Sequence, residues 1–376
     1  MRKIYSIALF MLVAGSVYAQ KSVPVTLKKV PVGTVKNQGN TNTCWSFSTT
    51  SLIETGEMQN ADKDIDLSEL FTARNLYIEK AKRYILSNGT TLFEAGGLSH
   101  DALYGIQKYG AMPDEFYPRE KGVKFSESSP IQLDQVLKNY LDWVLKTKPI
   151  DPNWLAGFIK KHDDIVGAPP AKFTWQGKEY TPVTFQQEVL KFNPDDYVTI
   201  TSFTHHPFYQ SFPLEIPDNF LMAEKYLNVP LTELIDIAQS TVQKGYSLVV
   251  DMDVSNNGWN CEKSSYALFE KDRFGNVNNP DTTEMNYSPQ LRQQLFETLE
   301  TQDDHLIHVT GIAKSKNGKL FFILKDSFGK NYGHYNGFDY ISVNYFAINT
   351  LSITVPKKAL NQKYLSLVDN KPGRDL

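Results

Sequence analysis

At 376 residues, 41% of them hydrophobic and 12% aromatic, the chain can bury a sizeable core in one large bilobed unit or two modest domains. Its net charge of −3, with no basic stripe, argues against a nucleic-acid partner. Two cysteines cannot build a disulfide framework for a chain of this length.

The first nineteen residues read as a leader. Arg2 and Lys3 precede a mostly apolar run from Ile4 to Val17, and Val17-Tyr18-Ala19 is a small-residue cleavage pattern. The run falls short of the about 20 apolar residues a spanning helix needs. The expectation is a signal peptide over 1–19, a mature chain from about Gln20 and an exported protein, periplasmic or secreted. An uncleaved membrane anchor is the alternative. No cysteine near the cleavage pattern offers a lipid attachment point, and no later stretch suits a membrane span, so no membrane partner is expected after cleavage.

Trp45, Phe47, Leu52, Ile53 and Met58 follow helical spacing, so Cys44 opens a partly buried helix with Thr43 as its N-cap. A second helix starts at Asp66 to Leu70, with Ser68 as a cap, and runs to about Ser87. After Gly96-Gly97, Ser99 to Tyr109 forms a third helix, stopped by Gly110. Residues 20–119 thus make a helical lobe. A mixed insertion over 120–245 holds helices at Leu133 to Lys146, Leu155 to His162 and Leu231 to Gly245. Strands take over in 246–354, at Ser247 to Val254, Leu306 to Ala313 and Leu320 to Lys325; Asn317-Gly318 signals a hairpin between the last two. Residues 355–376 form a tail.

Cys44 is the first candidate for chemistry. A helix N-terminus favours a nearby negative charge, and thiolate rather than thiol is the nucleophile. Gln38, six residues upstream, carries an amide able to donate to a developing oxyanion. A buried structural cysteine is the other reading of the position. Cys261 lies in a different context and reads as incidental and unreactive, with both cysteines free.

The hairpin supplies a partner. If Asn317 and Gly318 are the central turn residues, His308 and Asp326 fall within one residue of facing each other, and a slightly longer loop brings them opposite. His308 would then take the thiol proton and Asp326 would hold the imidazole. A structural histidine is the alternative. His305 reads as part of a solvated loop with Asp303 and Asp304, His100 as a helix-face residue, and His205-His206 lacks ligand spacing. With no HExxH and no paired CxxC, no metal or other cofactor is expected.

The segment Gln38-Gly39-Asn40-Thr41-Asn42-Thr43-Cys44-Trp45-Ser46-Phe47 resembles the nucleophile segment of papain-like cysteine peptidases. Leu67-Ser68-Glu69, Ala95-Gly96-Gly97, Tyr109-Gly110, Tyr117-Pro118, His308-Val309-Thr310-Gly311 and Lys325-Asp326-Ser327-Phe328-Gly329 follow in the family's order. The long separation of Cys44 and His308, together with Tyr226 to Pro230 and Val355 to Lys358, resembles the bleomycin hydrolase/aminopeptidase C branch, whose members carry a large insertion. Thr41 stands where papain has a disulfide cysteine.

The resemblance implies an α+β, papain-like fold of two lobes, one helical with the nucleophile and one antiparallel and β-barrel-like with the histidine. It implies Cys44, His308, Asp326 and Gln38 as catalytic residues, with Gly96, Gly97, Trp45 and Phe328 along the substrate cleft. Peptides are then the substrates, and a homo-oligomer, hexameric by analogy with the branch, the assembly. Asp326 replaces the family's Asn and Phe328 its Trp, which is expected to keep activity while altering its pH dependence. An aminopeptidase is the expected activity; a papain-like endopeptidase and a catalytically silent peptide-binding relative are the alternatives. The tail ends unlike those of the branch's aminopeptidases, whose C-terminal carboxylate meets the substrate's amine.

Overall fold

The computed structural model describes residues 23–61, 64–219, 226–269 and 279–369. The expected leader and the end of the tail, from Asn370, lie outside the described residues. A strand, β1 (Val25–Lys29), leads into the first lobe, built on α1 (Cys44–Ala61), α2 (Glu69–Leu86) and α3 (Ser99–Tyr109). Next come α4 (Glu120–Ser128), α5 (Leu133–Lys146), α6 (Trp154–Val166), the hairpin β2 (Phe173–Trp175) and β3 (Lys178–Tyr180), and α7 (Pro182–Phe185). The second lobe begins with β4 (Tyr197–Thr201), β5 (Ser211–Phe212), β6 (Tyr226–Asn228), α8 (Leu231–Gln243) and β7 (Leu248–Met252). It continues through α9 (Cys261–Ser264), β8 (Tyr266–Ala267), α10 (Pro289–Glu297), β9 (His305–Lys314) and β10 (Leu320–Lys325). It closes with β11 (Phe338–Ser342), α11 (Val343–Asn349), β12 (Thr350–Pro356) and α12 (Gln362–Asp369).

Local signals set several boundaries where the sequence puts them. Ser68 caps α2 by accepting from the Phe71 N–H at 3.1 Å. Gly110 ends α3 at φ +81°, a left-handed conformation that glycine adopts without a Cβ penalty. Thr43 starts α1 through its carbonyl, which accepts from the N–H groups of Ser46 and Phe47.

Ten strands form one sheet in the order β5-β6-β4-β12-β7-β9-β10-β11-β8, with β1 pairing β9 from the side. Among the described residues, only the β4–β6 and β11–β8 pairs are parallel. Two placements differ from the sequence reading. β1 joins the sheet, although it precedes the helical lobe. β4, β6 and α8, assigned to the insertion, belong to the strand lobe, since β4 pairs the late strand β12. Hydrogen-bonded neighbours far apart in sequence give no local signal.

One side of the sheet packs on α8, α11 and α12 around Ile235, Ile307, Val309 and Ile353. On the other side, Leu52, Leu76, Phe203, Val249, Leu306 and Leu351 form a common core between helices and sheet. Burying each such side chain stabilises the fold by about 1.5–3 kcal/mol, so the lobes are held together directly behind Cys44 and Trp45, which join the same cluster. Beneath the nucleophile segment, the Lys36 ammonium lies 2.7 Å from Glu54, 2.7 Å from Asp66 and 2.5 Å from Glu69. This knot, buried at Lys36, Glu54 and Glu69 and open to solvent at Asp66, fastens the approach to Gln38 onto α1 and α2. Among the described residues, no helix is long and apolar enough to cross a membrane.

Candidate active site

The chain reaches α1 through a tight loop. Gly39 has φ +59°, and a Cβ there would meet Val123 at 2.9 Å. The Thr41 hydroxyl donates to the Gln38 carbonyl at 2.8 Å, and the Asn37 side chain accepts from the Gly39 N–H at 2.9 Å. Cys44 emerges as the first residue of α1, 7% exposed, in a cleft of ≈ 460 Å³ also lined by Gln38, Gly96, Gly97, His305 and Phe328. Its backbone N–H, in the first turn, has no acceptor within the helix.

The histidine of this cleft is His305, and the structure corrects the expectation of His308. His305 Nε2 lies 2.9 Å from Asp326 Oδ1, which also accepts from the Ser327 N–H at 2.7 Å. Nδ1 is thereby the nitrogen left for Cys44, whose side chain hydrogen-bonds the imidazole. Burial alone would hold His305 neutral. The negative charges of Asp326 and Cys44 overcome it and raise the pKa to about 10, so the ring is an imidazolium at neutral pH. Phe328 stacks on His305 with ring centroids 5.2 Å apart and planes 19° from parallel, covering the contact with Asp326.

His308 faces the other way. The loop is longer than assumed, with Ser315 and Lys319 closing it, but the register slips by one between Ile323 and Leu324, and His308 pairs with Lys325. Its Nδ1 lies 2.9 Å from the Ser51 hydroxyl on α1, which also accepts from the Lys325 ammonium at 2.8 Å. Burial, and then the Lys325 charge, push its pKa far down. It is a neutral histidine of the interface between α1 and the sheet.

Gln38 is gripped from behind. Its Oε1 accepts from the Ser327 hydroxyl at 2.7 Å, and its N–H donates to the Ser327 carbonyl at 2.7 Å. With the carbonyl end of the amide held, the NH2 end is free for the cleft. Asp326 and Ser327 thus hold the imidazole and the glutamine, and Phe328 covers the imidazole.

Trp45 does not line the cleft, contrary to expectation. It is 2% exposed and donates its indole N–H to the Ala95 carbonyl at 2.9 Å. A Cβ on Gly97 would come within 3.0 Å of its ring, so Trp45 supports the glycine pair from below. Gly96 and Gly97 do reach the cleft, but they are covered. A Cβ at Gly96 would run into the Asp218 carboxylate, and the Gly97 N–H faces that same carboxylate.

Asp218 and Asp303 were missed at the sequence level. Asp218 lies in a loop with no periodicity. The signal for Asp303 was its place just before a strand, where loops carry functional groups past a rigid edge. Cys261 is buried, and burial together with the Asp339 and Asp326 charges raises its pKa far above the ordinary thiol value.

Two groups of possible metal ligands converge among the described residues. Lys36 fills the one made by Glu54, Asp66 and Glu69. In the other, Glu215 lies 3.3 Å from His205 Nε2 and 2.8 Å from His206 Nε2. The Gln293 amide donates to His205 Nδ1 at 2.9 Å, which leaves the proton on Nε2, facing Glu215. That nitrogen is a donor rather than a metal ligand.

Comparison with known proteins agrees with this geometry. The profile of the Peptidase C1-like family matches residues 163–374, and that of the papain family cysteine protease matches residues 19–73. Aminopeptidase G of Lactobacillus delbrueckii subsp. lactis is 23% identical over 388 aligned positions, covering 92% of this chain and 85% of the relative. The crystal structure of PepW from Lactobacillus rhamnosis HN001 superposes with a TM-score of 0.71 at 20% identity, covering 93% of this chain and 85% of that one. The mixed α+β architecture is therefore that of a papain-like neighbour.

Proposed function

The chain belongs to the Peptidase C1-like family, and from that premise we propose that it is a cysteine aminopeptidase, releasing residues from the N-terminus of peptides through a thioester on Cys44. The observation that carries the reading is one cleft in which Cys44, at the start of α1, meets an imidazolium tied to Asp326. The Cys44 thiolate attacks the carbonyl of the first residue. The developing oxyanion is met by the Cys44 backbone N–H and the Gln38 amide. His305 gives its proton to the departing amine, leaving a thioester and a neutral imidazole. That imidazole takes a proton from water as the water oxygen displaces Cys44, which frees the amino acid and restores the ion pair. Two features support an exopeptidase over an endopeptidase. One is the likeness to aminopeptidase G; the other is the Asp218 carboxylate over Gly96 and Gly97, where an extended substrate would need open backbone.

The test compares a free-amine peptide with its N-acetylated form. Preference for the free amine is expected, and equal or better cleavage of the blocked peptide would overturn the aminopeptidase reading. Cys44→Ala should abolish turnover and leave the circular dichroism spectrum unchanged, since it removes one sulfur at a helix end. Turnover by that variant would overturn the thioester mechanism.

Export is part of the same proposal, supported by Arg2, Lys3 and the apolar run to Val17. N-terminal sequencing of the protein from periplasm or medium should start near Gln20; a cytoplasmic protein starting at Met1 would refute it. A homo-oligomer, hexameric by the branch resemblance, should sediment as such, and a monomer would exclude it.

A further inference from the structure

The α-nitrogen of a substrate is separated from its first carbonyl carbon by one Cα, a distance of roughly 2.5 Å. A group that recognises the free amine must therefore stand within a few ångströms of the reacting carbonyl, on the side of the cleft away from the leaving group. Carboxylates crowd this wall. Asp218 sits over Gly96, with the Gly97 N–H turned toward it. The backbone N–H of Asp218 in turn faces the Asp303 carboxylate. Both residues line the cleft that holds Cys44 and His305. Asp303 Oδ2 is shielded from solvent, and its carboxyl meets that of another buried acid, Asp251, behind it.

We propose that Asp218 and Asp303 bind the α-ammonium group of the substrate's first residue and so set the cleavage point one residue from the N-terminus. The inference rests on the aminopeptidase reading and names the groups that recognise the amine.

The charges around the wall favour a cation. Asp101, Asp304 and Glu94 surround the pair with further acids, and burial, then the neighbouring Asp303 carboxyl that it hydrogen-bonds, pushes Asp251 well above the ordinary carboxylate value. The cations nearby are tied to carbonyls. Lys80, whose charge also acts on Asp218, donates to the carbonyls of Glu94 and Gly96. Arg292 donates to the carbonyls of Ser202, Ala347 and Ile348 in the interlobe core. His305 is engaged by Asp326 and Cys44. Burial, followed by the Asp218 charge, raises Asp303 to about 8, and burial raises Asp218 in the same direction. An ammonium group entering between them replaces the solvation they have lost, and the proton that Asp303 holds in its absence is released to solvent. Asp218 also acts by bulk, because a residue preceding the first one would have to pass through its carboxylate.

The experiment compares leucine p-nitroanilide with the desamino analogue, 4-methylpentanoyl p-nitroanilide, and with N-acetyl-leucine p-nitroanilide. The parent enzyme should favour the free amine over the desamino analogue at least ten-fold in kcat/KM, the order expected for one charge-assisted pair. Asp218→Asn and Asp303→Asn should each cut that preference about ten-fold, mainly through KM. The alkylation rate of Cys44 by iodoacetamide should stay unchanged in Asp218→Asn. Asp218→Gly should gain activity on the acetylated substrate. Variants that keep the parent's preference would overturn the proposal while leaving the aminopeptidase reading intact. A parent with no preference for the free amine would overturn the reading itself. If Asp303→Asn does not fold, the two Asp218 variants decide.

Discussion

Burial of an imidazole favours its neutral form, and at His305 two negative partners reverse that preference. At His308 burial is joined by the Lys325 charge, and both favour the neutral ring. Two histidines on one strand are thus expected to respond differently to the same substitution. His305→Ala should lower kcat by at least a thousand-fold, because it removes both the proton donor and the ion-pair partner of Cys44. His308→Ala should retain the chemistry and lose about 1–3 kcal/mol of stability in urea denaturation, since the Ser51 hydroxyl loses a buried partner and a cavity opens between α1 and the sheet. The reverse pattern would restore His308 as the base. Asp326→Asn removes the larger of the charges that sustain the imidazolium. The alkylation of Cys44 by iodoacetate, an anion drawn by that ring, should then fall off well below the pH near 10 at which it falls in the parent. An unmoved pH profile would mean that Asp326 does not set the charge of His305. Cys44, Gln38, Asp326 and Phe328 were legible in the sequence because each sits in a short motif of fixed spacing. The histidine was not, because a strand position depends on a register that one extra residue shifts, and because a histidine inside an apolar run is by that context a core residue.

The segment Asp326-Ser327-Phe328 shows how one element organises a site. It follows β10 directly, so the strand fixes its position, and its three side chains serve two targets, Asp326 and Phe328 the His305 ring and Ser327 the Gln38 amide. Ser327 touches no reacting atom in the proposed mechanism and acts as a positioning residue through the Gln38 amide. Without its hydroxyl, the amide is free to rotate and to present its oxygen to the oxyanion. Deleting an oxyanion donor outright costs about 10²–10³ in kcat. Loosening one in Ser327→Ala should cost less, about ten-fold, with little change in KM. A rise in KM without loss of kcat would instead assign Ser327 to substrate binding. At this scale the long periodic helices were legible, since capping and 3.6-residue periodicity are local, whereas α4, α10, α11 and α12 were not, and α6 runs four residues past the expected His162. α2 begins at its Ser68 cap, α3 stops at Gly110, and α5 spans its periodic stretch, Leu133–Lys146. The hairpin of β9 and β10 was legible too, but its bulge was not. The extra residue lies by Thr310 and is dictated by the pairing of β9 with three neighbours, β1, β7 and β10.

The whole molecule is a helical lobe and a sheet that share one core, and the cleft lies at the edge of that core, so acids near the site are buried along with it. Asp251, Asp303 and Asp339 all have pKa values raised above the ordinary carboxylate value, with burial the first cause in each. The overall architecture was legible through motif order, which runs along the entire chain. The extent of the insertion was not, because β4 and β6 declare their lobe only by pairing with β12 and with each other. Nor did any pattern in the sequence announce the acids, since burial is a property of the assembled lobes. Their protonation has a consequence for stability. In the unfolded chain Asp303 ionises near pH 4, whereas in the folded protein it holds its proton to about pH 8. Between those values the fold binds a proton that the unfolded chain lacks, so this group's contribution to stability is complete below pH 4 and is lost progressively up to about pH 8. Asp303→Asn is neutral throughout and is free of that loss. The melting temperature of the variant relative to the parent should therefore rise steadily from pH 5 to pH 8 and level off above it, whatever the sign of the difference at pH 5. A difference that stays constant across this range would show that folding takes up no proton at Asp303, and with it that the cleft wall is already charged before a substrate arrives.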